Sequence, residues 1–287
     1  MEKSEAKRLL GRAQDAFDAG EWQECAELYE QVLAHYPDES RSEVWWYDAA
    51  LAYKFLRDWP KAYELGREAA ARSPRGESDP AFWNLGIAAT ILREWEVARD
   101  AWRGFGFAVP EGEGEITDFG GMACVRLDTD GEREVVWAQR LCPTRARVVN
   151  VPVTPGRRFG EIVVHDGEPK GERVVEGEAY YVFDELMLFE GSRLPTLTVT
   201  VNAERVGDLE ELISRFAGRD FGAEPASGVR ALCACCSEGS HEQTRSLHAG
   251  AQQLALAAPE AEARQLLDDW AGAVTTGRSW SGLQPVD

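Results

Sequence analysis

Cysteine and histidine side chains concentrate in one segment near the end of the chain, LCACCSEGSHEQTRSLH. Cys233 and Cys236 have C-x-x-C spacing, and His241 and His248 follow them. Thiolate and imidazole are ligands that zinc prefers, and these four side chains could complete a tetrahedral set, so the pattern is a partial signal for a zinc site. The alternative is a pair of cysteines at a strand end facing a core, with both histidines on a surface loop. It stays open because six residues separate the two histidines, where a typical zinc motif has a second close pair.

Few other combinations of side chains could perform catalysis. The chain has four histidines, and it contains no G-x-S-x-G, H-E-x-x-H, Walker-type or dinucleotide-binding motif. His165 beside Asp166 would suit an oriented imidazole, but the segment HDGEPKG predicts a turn between two strands. Asp184 and Glu185 would suit paired carboxylates, but their place in YYVFDELMLFE favours a bulge or turn within apolar strands. The sequence therefore predicts no catalytic residue and a protein that is not an enzyme.

Short β-strands are the elements that would position these side chains. Runs of β-branched and aromatic residues between Gly, Pro, Asp and Asn predict strands at 122–127, 134–141, 147–151, 160–165, 180–188 and 196–201. The DTDG sequence at 128–131 predicts a hairpin, and the earlier strands suit a small barrel or a curled sheet. A helix with Asp208 as its N-cap, followed by a strand at 229–233, would give a strand, helix, strand order. A last helix is predicted at 259–270, and the residues after it are predicted to form a loose tail.

The first part of the chain has a different, helical pattern that repeats. The tripeptides GEW at 20–22, RDW at 57–59 and REW at 93–95 recur at intervals of about 36 residues, each at the end of an amphipathic helical stretch. A second helical stretch follows each tripeptide and ends near Pro37, Pro74 or Pro110. Because proline cannot continue a helix, these prolines separate one unit from the next. The pattern predicts three helical hairpins.

Small and bulky residues alternate at equivalent positions of these hairpins, as the packing of stacked helices requires. The small positions are Ala13, Ala50 and Gly86 in the first helices and Cys25, Ala62 and Ala98 in the second helices. The bulky positions are Leu9, Trp46 and Phe82, and then Tyr29 and Trp102. With segments such as WYDAALAYKFLRDWPKAYELGREAAARSP and FWNLGIAATILREWEVARDAWRGFGFAVP, residues 2–110 resemble the tetratricopeptide repeat (TPR) family. The units are slightly longer than the roughly 34 residues of that family, and Gly104 and Gly106 are expected to loosen the last helix.

The resemblance to TPR proteins implies a protein-binding groove formed by the first helix of each hairpin. Apolar residues at i, i+4 and i+8 would form stripes along these helices, and Lys54 and Asn84 are the residues available to a clamp for a peptide carboxylate. These residues are too few for the clamp of a chaperone-tail receptor. The predicted partner-binding residues are Phe17, Tyr47, Leu51, Lys54, Phe55, Trp83, Asn84, Ile87 and Ile91. The alternative is that a later part of the chain fills this groove.

Composition limits the classes of partner and compartment. The formal net charge is −19, and most acidic residues follow Pro110. This charge argues against binding to nucleic acid or to a membrane, and it permits electrostatic steering toward a basic protein partner. The alternative is that the acidity only maintains solubility. No signal-peptide pattern or long apolar stretch is present, so a cytoplasmic protein with reduced cysteines is expected. Cys124 and Cys142 lie in apolar strands and are expected to be buried and inert.

Together these features predict an α+β chain with two domains, a TPR-like helical repeat domain at 1–110 and an acidic, strand-rich domain at 111–287. The leading functional hypothesis is a non-enzymatic protein that binds another protein, and its narrower form is the neutralisation of a bacterial toxin, as by an immunity protein. One alternative is a metalloprotein with zinc at the cysteine and histidine segment, and zinc is the only cofactor considered. Another is a scaffold subunit of a larger assembly. The oligomeric state is not predicted.

Overall fold

A computed structural model describes residues 1–129, 132–175, 177–226, 240–242, 247–273 and 277–286. The chain forms two compact units, Met1–Phe119 and Gly120–Asp287. The first unit is helical, and the second contains two β-sheets with two helices among its described residues. This confirms the predicted α+β class, with helical hairpins followed by a strand-rich region.

Six helices form three consecutive hairpins in the first unit. The first hairpin contains α1 (Lys3–Ala19) and α2 (Trp22–Leu33). The second contains α3 (Ser42–Phe55) and α4 (Trp59–Arg72), and the third contains α5 (Pro80–Ile91) and α6 (Trp95–Phe105). Each helix contacts the next one along the chain, and α3 also contacts α5. The helices therefore stack in sequence order.

The repeated tripeptides form the same tight turn in all three hairpins. Gly20, Arg57 and Arg93 have φ values of 72°, 57° and 63°, which places each in the left-handed region. The next residue donates its backbone N–H five residues back in each case, as Glu21 does to Ala16 O at 2.8 Å. This bond ends the first helix of each hairpin. The tryptophan two positions after the left-handed residue begins the second helix.

Glycines in α5 and α6 allow close packing within the third hairpin. A Cβ atom on Gly86 would lie 2.5 Å from the Trp102 ring, and one on Gly104 would lie 2.4 Å from the Phe82 ring. Trp102 and Phe82 are both buried. The expectation that Gly104 loosens the last helix is therefore wrong, because its missing side chain leaves the space that Phe82 occupies. Gly106, with φ 119°, ends α6.

Residues 111–119 group with the helical unit, although the sequence analysis assigns them to the second domain. The buried Arg99 of α6 explains this, because its guanidinium donates to the carbonyl oxygens of Pro110, Gly114 and Glu115. Ile116 is buried, and the ring of Phe119 meets that of Phe107 edge-on at 5.4 Å. A buried arginine without these acceptors would be costly, so the segment after α6 stabilises that helix.

Five strands of the second unit close into a small barrel. They are β1 (Met122–Thr129), β2 (Glu132–Arg140), β3 (Arg145–Val148), β4 (Ile162–Val175) and β5 (Glu178–Glu190). Each strand is antiparallel to the next, and β1 lies parallel to β5. Because five strands alternate in direction, the first and the last run the same way. The barrel can therefore close only through a parallel pair between β1 and β5. The short strand β8 (Ser240–Glu242) adds to β4 on its outer side. Seven buried residues form a shared core cluster here: Val125, Leu127, Val136, Ala138, Ala146, Val148 and Val163.

The predicted turn at HDGEPKG is wrong, because these residues lie inside β4 and pair with β5. Gly and Pro instead cause irregularities of register between His165 and Gly171. Of the two alternatives predicted at Asp184 and Glu185, the turn is wrong because both residues lie within β5, and the bulge is supported because the register between β4 and β5 shifts on both sides of the pair His165 and Glu185. The pairing of each strand with its neighbours therefore outweighs the local preference of these residues for a turn.

The rest of the second unit contains a four-stranded β-sheet, and its strands and helices follow the order βαββαβ along the chain. Along the chain it contains β6 (Thr196–Ala203), α7 (Val206–Ala217), β7 (Gly222–Pro225), β9 (Gly250–Ala257), α8 (Glu260–Gly272) and β10 (Arg278–Pro285). The strand order β10-β6-β9-β7, with both helices packed on one face of the sheet, gives a ferredoxin-like arrangement. Helix α7 begins at Val206, so Asp208 lies in its first turn and is not its N-cap.

The predicted loose tail is wrong, because β10 pairs with β6 along the edge of the sheet. Arg278 explains why this strand is held. Its guanidinium lies 2.8 Å from Asp208 and 2.5 Å from Glu211, both on α7, and it donates to Trp270 O of α8. One arginine therefore links the last strand to both helices.

Candidate protein-binding surface

The predicted partner-binding residues differ widely in their exposure. Phe55 is 46% exposed, and Phe17, Tyr47, Leu51 and Ile91 are half-buried. Tyr47, Leu51 and Phe55 follow one another along α3 at intervals of four residues, so they lie on one face of that helix. This stripe is the part of the predicted groove that stays accessible in the helical unit.

An aromatic ledge ends this stripe, and it consists of Phe17, Trp22 and Phe55. The rings of Trp22 and Phe55 stack with centroids 4.4 Å apart and an interplanar angle of 29°. Phe17 meets Trp22 edge-on at 5.4 Å. The ledge thus joins residues from α1, α2 and α3, and the neighbouring Leu56 is also exposed. Mutual stacking holds these rings in place and leaves part of Phe55 in water.

Trp22 is a surface residue that its sequence pattern does not reveal. Trp22, Trp59 and Trp95 occupy the same place in the three tripeptides, so their recurrence indicates a structural role and not a surface role. The stacking of Trp22 on Phe55 joins two hairpins, and no spacing within one hairpin could reveal it.

Exposed carboxylates are close in sequence to the residues of the aromatic ledge. Asp18 follows Phe17, Glu21 precedes Trp22, and Asp58 lies three residues after Phe55; all three residues are exposed. Asp58 caps α4 by accepting from the backbone N–H of Lys61 at 3.2 Å. Arg57 is the exposed basic residue beside them. An apolar surface whose sequence neighbours are mostly acidic favours partners that present both apolar and cationic groups.

Polar groups behind this surface are neutral or paired. Tyr29 donates its hydroxyl to Asp48 of α3 at 3.0 Å, and burial raises the pKa of the Asp48 carboxyl. Burial also raises the pKa of the nearby Cys25 thiol to about 11. These groups are therefore structural, and a thiol with such a pKa is a poor nucleophile.

Lys54 and Asn84 cannot act as a free clamp for a carboxylate. Lys54 is only 8% exposed, and its Nζ donates to Oδ1 of Asn84 at 3.1 Å. The bond connects α3 to α5 and uses both predicted side chains inside the helical unit. The prediction of Lys54 as a partner-binding residue fails because this contact buries it, whereas Asn84 is half-buried and its role stays a prediction.

Ile87 is fully buried, at 0% exposure, so its prediction as a groove residue is also wrong. Helix α5 has buried residues on most of its circumference, from Ala81 through Thr90. A helix that is apolar all round is buried on several sides, and its i, i+4 spacing does not identify an exposed face. The other two residues of the predicted α5 stripe, Trp83 and Ile91, are half-buried.

Trp83 is covered by aromatic residues of the same unit. Its ring lies 5.4 Å from Trp102, 5.1 Å from Phe105 and 6.0 Å from Phe107. Phe107 belongs to the segment that follows α6. Trp83 thus contributes to the packing of the third hairpin while it stays half-buried, and the ledge and the α3 stripe contain the most exposed of the predicted residues, Phe55.

Comparisons with known proteins add a distant similarity to the helical unit. The sequence matches no protein-family model and no curated protein sequence. The crystal structure of the Sgt2 TPR domain from Aspergillus fumigatus is similar at 23% sequence identity and a TM-score of 0.30. The similarity covers 35% of this chain and 64% of that chain, so it spans less than two thirds of the Sgt2 domain. At this level it supports no functional conclusion, and the TPR-like description rests on the three hairpins and their common turn.

The predicted zinc ligands lie mostly outside the described residues. Cys233 and Cys236 fall there, and for His241 only the backbone, in β8, is described. His248 is exposed, and its Nδ1 lies 3.2 Å from Ala249 O. In the part of the chain that the structure describes, no group of three or more His, Cys, Asp or Glu side chains could hold a metal ion. The zinc site therefore stays a prediction.

The other candidate chemical groups are structural in the second unit. Glu185 accepts two bonds from the Arg157 guanidinium, at 2.7 and 2.8 Å, and Asp184 pairs with Arg126. Burial raises the pKa of Cys124 to about 12, as expected for an inert thiol, and Cys142 is buried. No helix in the described ranges has both the length and the apolar character needed to cross a membrane.

Proposed function

We propose that the helical unit binds a basic segment of another protein at the aromatic ledge, and that the chain acts by binding and not by catalysis. The observation that supports this is Phe55, which stacks on Trp22 and still leaves 46% of its surface in water. Large rings held rigidly at a surface contribute strongly to binding when a partner covers them. They lose little side-chain entropy on binding because stacking already fixes them.

Charge favours a basic partner. The exposed residues Asp18, Glu21 and Asp58 lie within three positions of a ledge residue in the sequence, and the whole chain carries a formal net charge of −19. An arginine of the partner would stack on the exposed face of Phe55 and pair with one of these carboxylates, since guanidinium groups do both. The acidic surface would also speed the encounter with such a partner.

The narrower form of the proposal is that the bound segment belongs to a basic toxin whose active site the chain masks. Its support is the overall acidity. The purified partner should then lose its activity when the chain is added at equal concentration. A partner that keeps full activity in the saturated complex would exclude neutralisation and leave the binding proposal intact.

The binding proposal is tested with the variant Phe55→Ala and the matched control Tyr181→Ala. Tyr181 is a 58% exposed ring in the second unit, so both substitutions remove an exposed aromatic side chain. A partner is first identified by affinity purification of the full chain from its native cells and is then titrated by calorimetry. Phe55→Ala is expected to weaken binding by about tenfold or more, and Tyr181→Ala is expected to leave it unchanged.

Two further measurements make the result decisive. Circular dichroism should show the same helical signal for Phe55→Ala as for the wild type, because a partly exposed ring contributes little to folding. Affinity should fall as salt is raised, because these carboxylates are exposed and screened. Wild-type affinity in Phe55→Ala would exclude the ledge as the binding surface.

A further inference from the structure

Two polar side chains meet at one end of the barrel core. Arg140 follows the core residue Ala138 by two positions in β2, and His165 follows the core residue Val163 by two positions in β4. Because side chains of a strand alternate between its faces, both lie on the core side. The ring of His165 stacks on that of Phe183 with centroids 4.9 Å apart, and Cζ of Arg140 lies 5.1 Å from the same ring centroid. One phenyl ring therefore brings the two polar groups together.

Arg140 is a half-buried cation that forms no ion pair with the residues that the structure describes. Its Nε is buried, and among those residues it has no hydrogen-bond partner. Burial lowers the pKa of the Arg140 guanidinium. Arg157 is also buried, yet its pKa is raised, because its bonds to Glu185 and Glu161 outweigh the burial. A guanidinium that is shielded from water and lacks an acceptor would be stabilised by an anion.

His165 contributes the complementary group, a neutral acceptor. Its side chain is fully buried, and its Nδ1 lies 2.7 Å from Asp166 O. A carbonyl oxygen can only accept, so Nδ1 carries the proton of the neutral ring and Nε2 is left as an acceptor. Nε2 has no partner among the described residues. Burial lowers the pKa of His165 to about 4, so the ring is neutral near pH 7 and this acceptor is retained.

We propose that Arg140 and His165 bind a small oxyanion that carries a hydroxyl group, of which hydrogen phosphate is the simplest. Its charged oxygens would accept from the guanidinium, and its hydroxyl would donate to Nε2 of His165. An oxyanion without a hydroxyl would place a second acceptor against Nε2, so the site should discriminate against it. The guanidinium is held by its contact with Phe183 alone among the described groups, so Arg140 can move to admit a small ligand.

Hydrogen phosphate, sulfate and phenyl phosphate test this assignment. Sulfate resembles hydrogen phosphate in size and charge but has no hydroxyl, and at about pH 7.5 phenyl phosphate has also lost its last proton. Each anion is titrated into the full chain by calorimetry, and the ¹⁵N NMR signals of Arg140 Nε and His165 Nε2 are followed. Hydrogen phosphate is expected to bind in a saturable way and to shift both signals. Sulfate and phenyl phosphate are expected to bind about tenfold or more weakly.

Three variants locate the binding. Arg140→Gln removes the cation and should weaken hydrogen phosphate binding about tenfold or more. His165→Phe keeps a ring against Phe183 and removes the acceptor, so it should bind hydrogen phosphate and sulfate with equal, low affinity. The control Arg147→Gln removes an exposed arginine from β3 of the same barrel and should bind like the wild type. Circular dichroism verifies that each variant keeps the fold.

The assignment is overturned if sulfate or phenyl phosphate binds as tightly as hydrogen phosphate, or if hydrogen phosphate leaves the two nitrogen signals unchanged. Unchanged binding in Arg140→Gln would also overturn it. If a variant fails to fold, the wild-type preference for hydrogen phosphate over sulfate and the Nε2 signal of His165 decide. None of these results depends on the protein partner of the helical unit.

Discussion

His165 is a fully buried histidine in the barrel, at 0% exposure. Its ring stacks on Phe183, with centroids 4.9 Å apart, and its Nδ1 donates to Asp166 O at 2.7 Å. Nε2 has no hydrogen-bond partner among the described residues. Burial, with a smaller contribution from the positive charge of Arg140, lowers the pKa of His165 to about 4. The neutral imidazole is therefore the form that fits the fold.

The pH dependence of stability follows from this pKa. In the unfolded chain His165 takes up a proton near pH 6.5, while in the folded chain it does so only near pH 4. As pH falls from 6.5 to 4 the unfolded state binds more protons, so His165 should lower the free energy of unfolding by up to about 3 kcal/mol. Urea unfolding across this range measures the loss.

A pair of variants isolates the contribution of His165. His165→Phe keeps an aromatic ring against Phe183 and removes the titration, so its unfolding free energy should depend less on pH between 6.5 and 4. His35→Gln changes an exposed histidine of the helical unit and should keep the wild-type slope. Equal slopes in wild type and His165→Phe would show that this histidine is protonated as easily in the folded chain.

Individual residues also show where sequence reasoning fails. The predicted groove residues Phe55, Tyr47 and Leu51 are accessible, because the spacing of four residues places them on one face of α3. Ile87 follows the equally regular spacing of α5 and is buried, and Lys54, predicted for a carboxylate clamp, is buried as well. Whether such a residue is buried depends on which neighbouring helix covers it, and that helix can belong to another hairpin.

At the scale of elements, close helix packing in the third hairpin depends on a missing side chain. A methyl group on Gly86 would overlap the Trp102 ring, which lies 2.5 Å from the Cβ position. Gly86→Ala is therefore expected to lower the free energy of unfolding by about 1–3 kcal/mol, despite the better helix propensity of alanine. Chemical denaturation measures the difference.

Gly11→Ala is the matched control for this substitution. Gly11 lies in the exposed interior of α1, and a Cβ atom there would meet nothing within 4 Å. The same change should therefore raise the free energy of unfolding by about 1 kcal/mol. The packing argument is wrong if the two substitutions shift stability in the same direction.

The hairpins were predictable from sequence because each carries its own signals. The tripeptides 20–22, 57–59 and 93–95 encode a helix end, a left-handed residue and the next helix start within a few positions. The strand β10 carries no comparable signal, since RSWSGLQP contains Gly and Pro and has little alternation. It becomes a strand because β6 offers an edge and Arg278 bonds to α7 and α8. Elements of this kind depend on partners distant in sequence.

At the scale of the whole molecule, composition and repeat pattern indicated a helical part and a strand-rich part, and the contacts of the chain form two units. The sequence pattern changes at about residue 110, yet the first unit extends to Phe119. A change of composition marks where helices stop. It does not show which core the following irregular segment joins, because that depends on the buried Arg99 and its three carbonyl acceptors.

This unit boundary predicts that a fragment 1–119 folds alone and that a fragment 1–110 is less stable. The shorter fragment loses the carbonyl oxygens of Gly114 and Glu115 as acceptors for Arg99, and it loses the buried Ile116. Hydrogen bonds to a charged group and the burial of one isoleucine together should contribute about 3–5 kcal/mol. The helical circular dichroism signal of 1–110 should therefore melt at least about 10 °C below that of 1–119.

The variant Ile116→Ala in the fragment 1–119 separates the two contributions. It keeps all three acceptors of Arg99 and removes most of one buried side chain, so its melting temperature should lie between those of the two fragments. If 1–110 and 1–119 melt together, residues 111–119 do not belong to the helical core, and the boundary lies where the composition changes. If Ile116→Ala melts as low as 1–110, apolar burial alone fixes the segment, and the bonds from Arg99 contribute little.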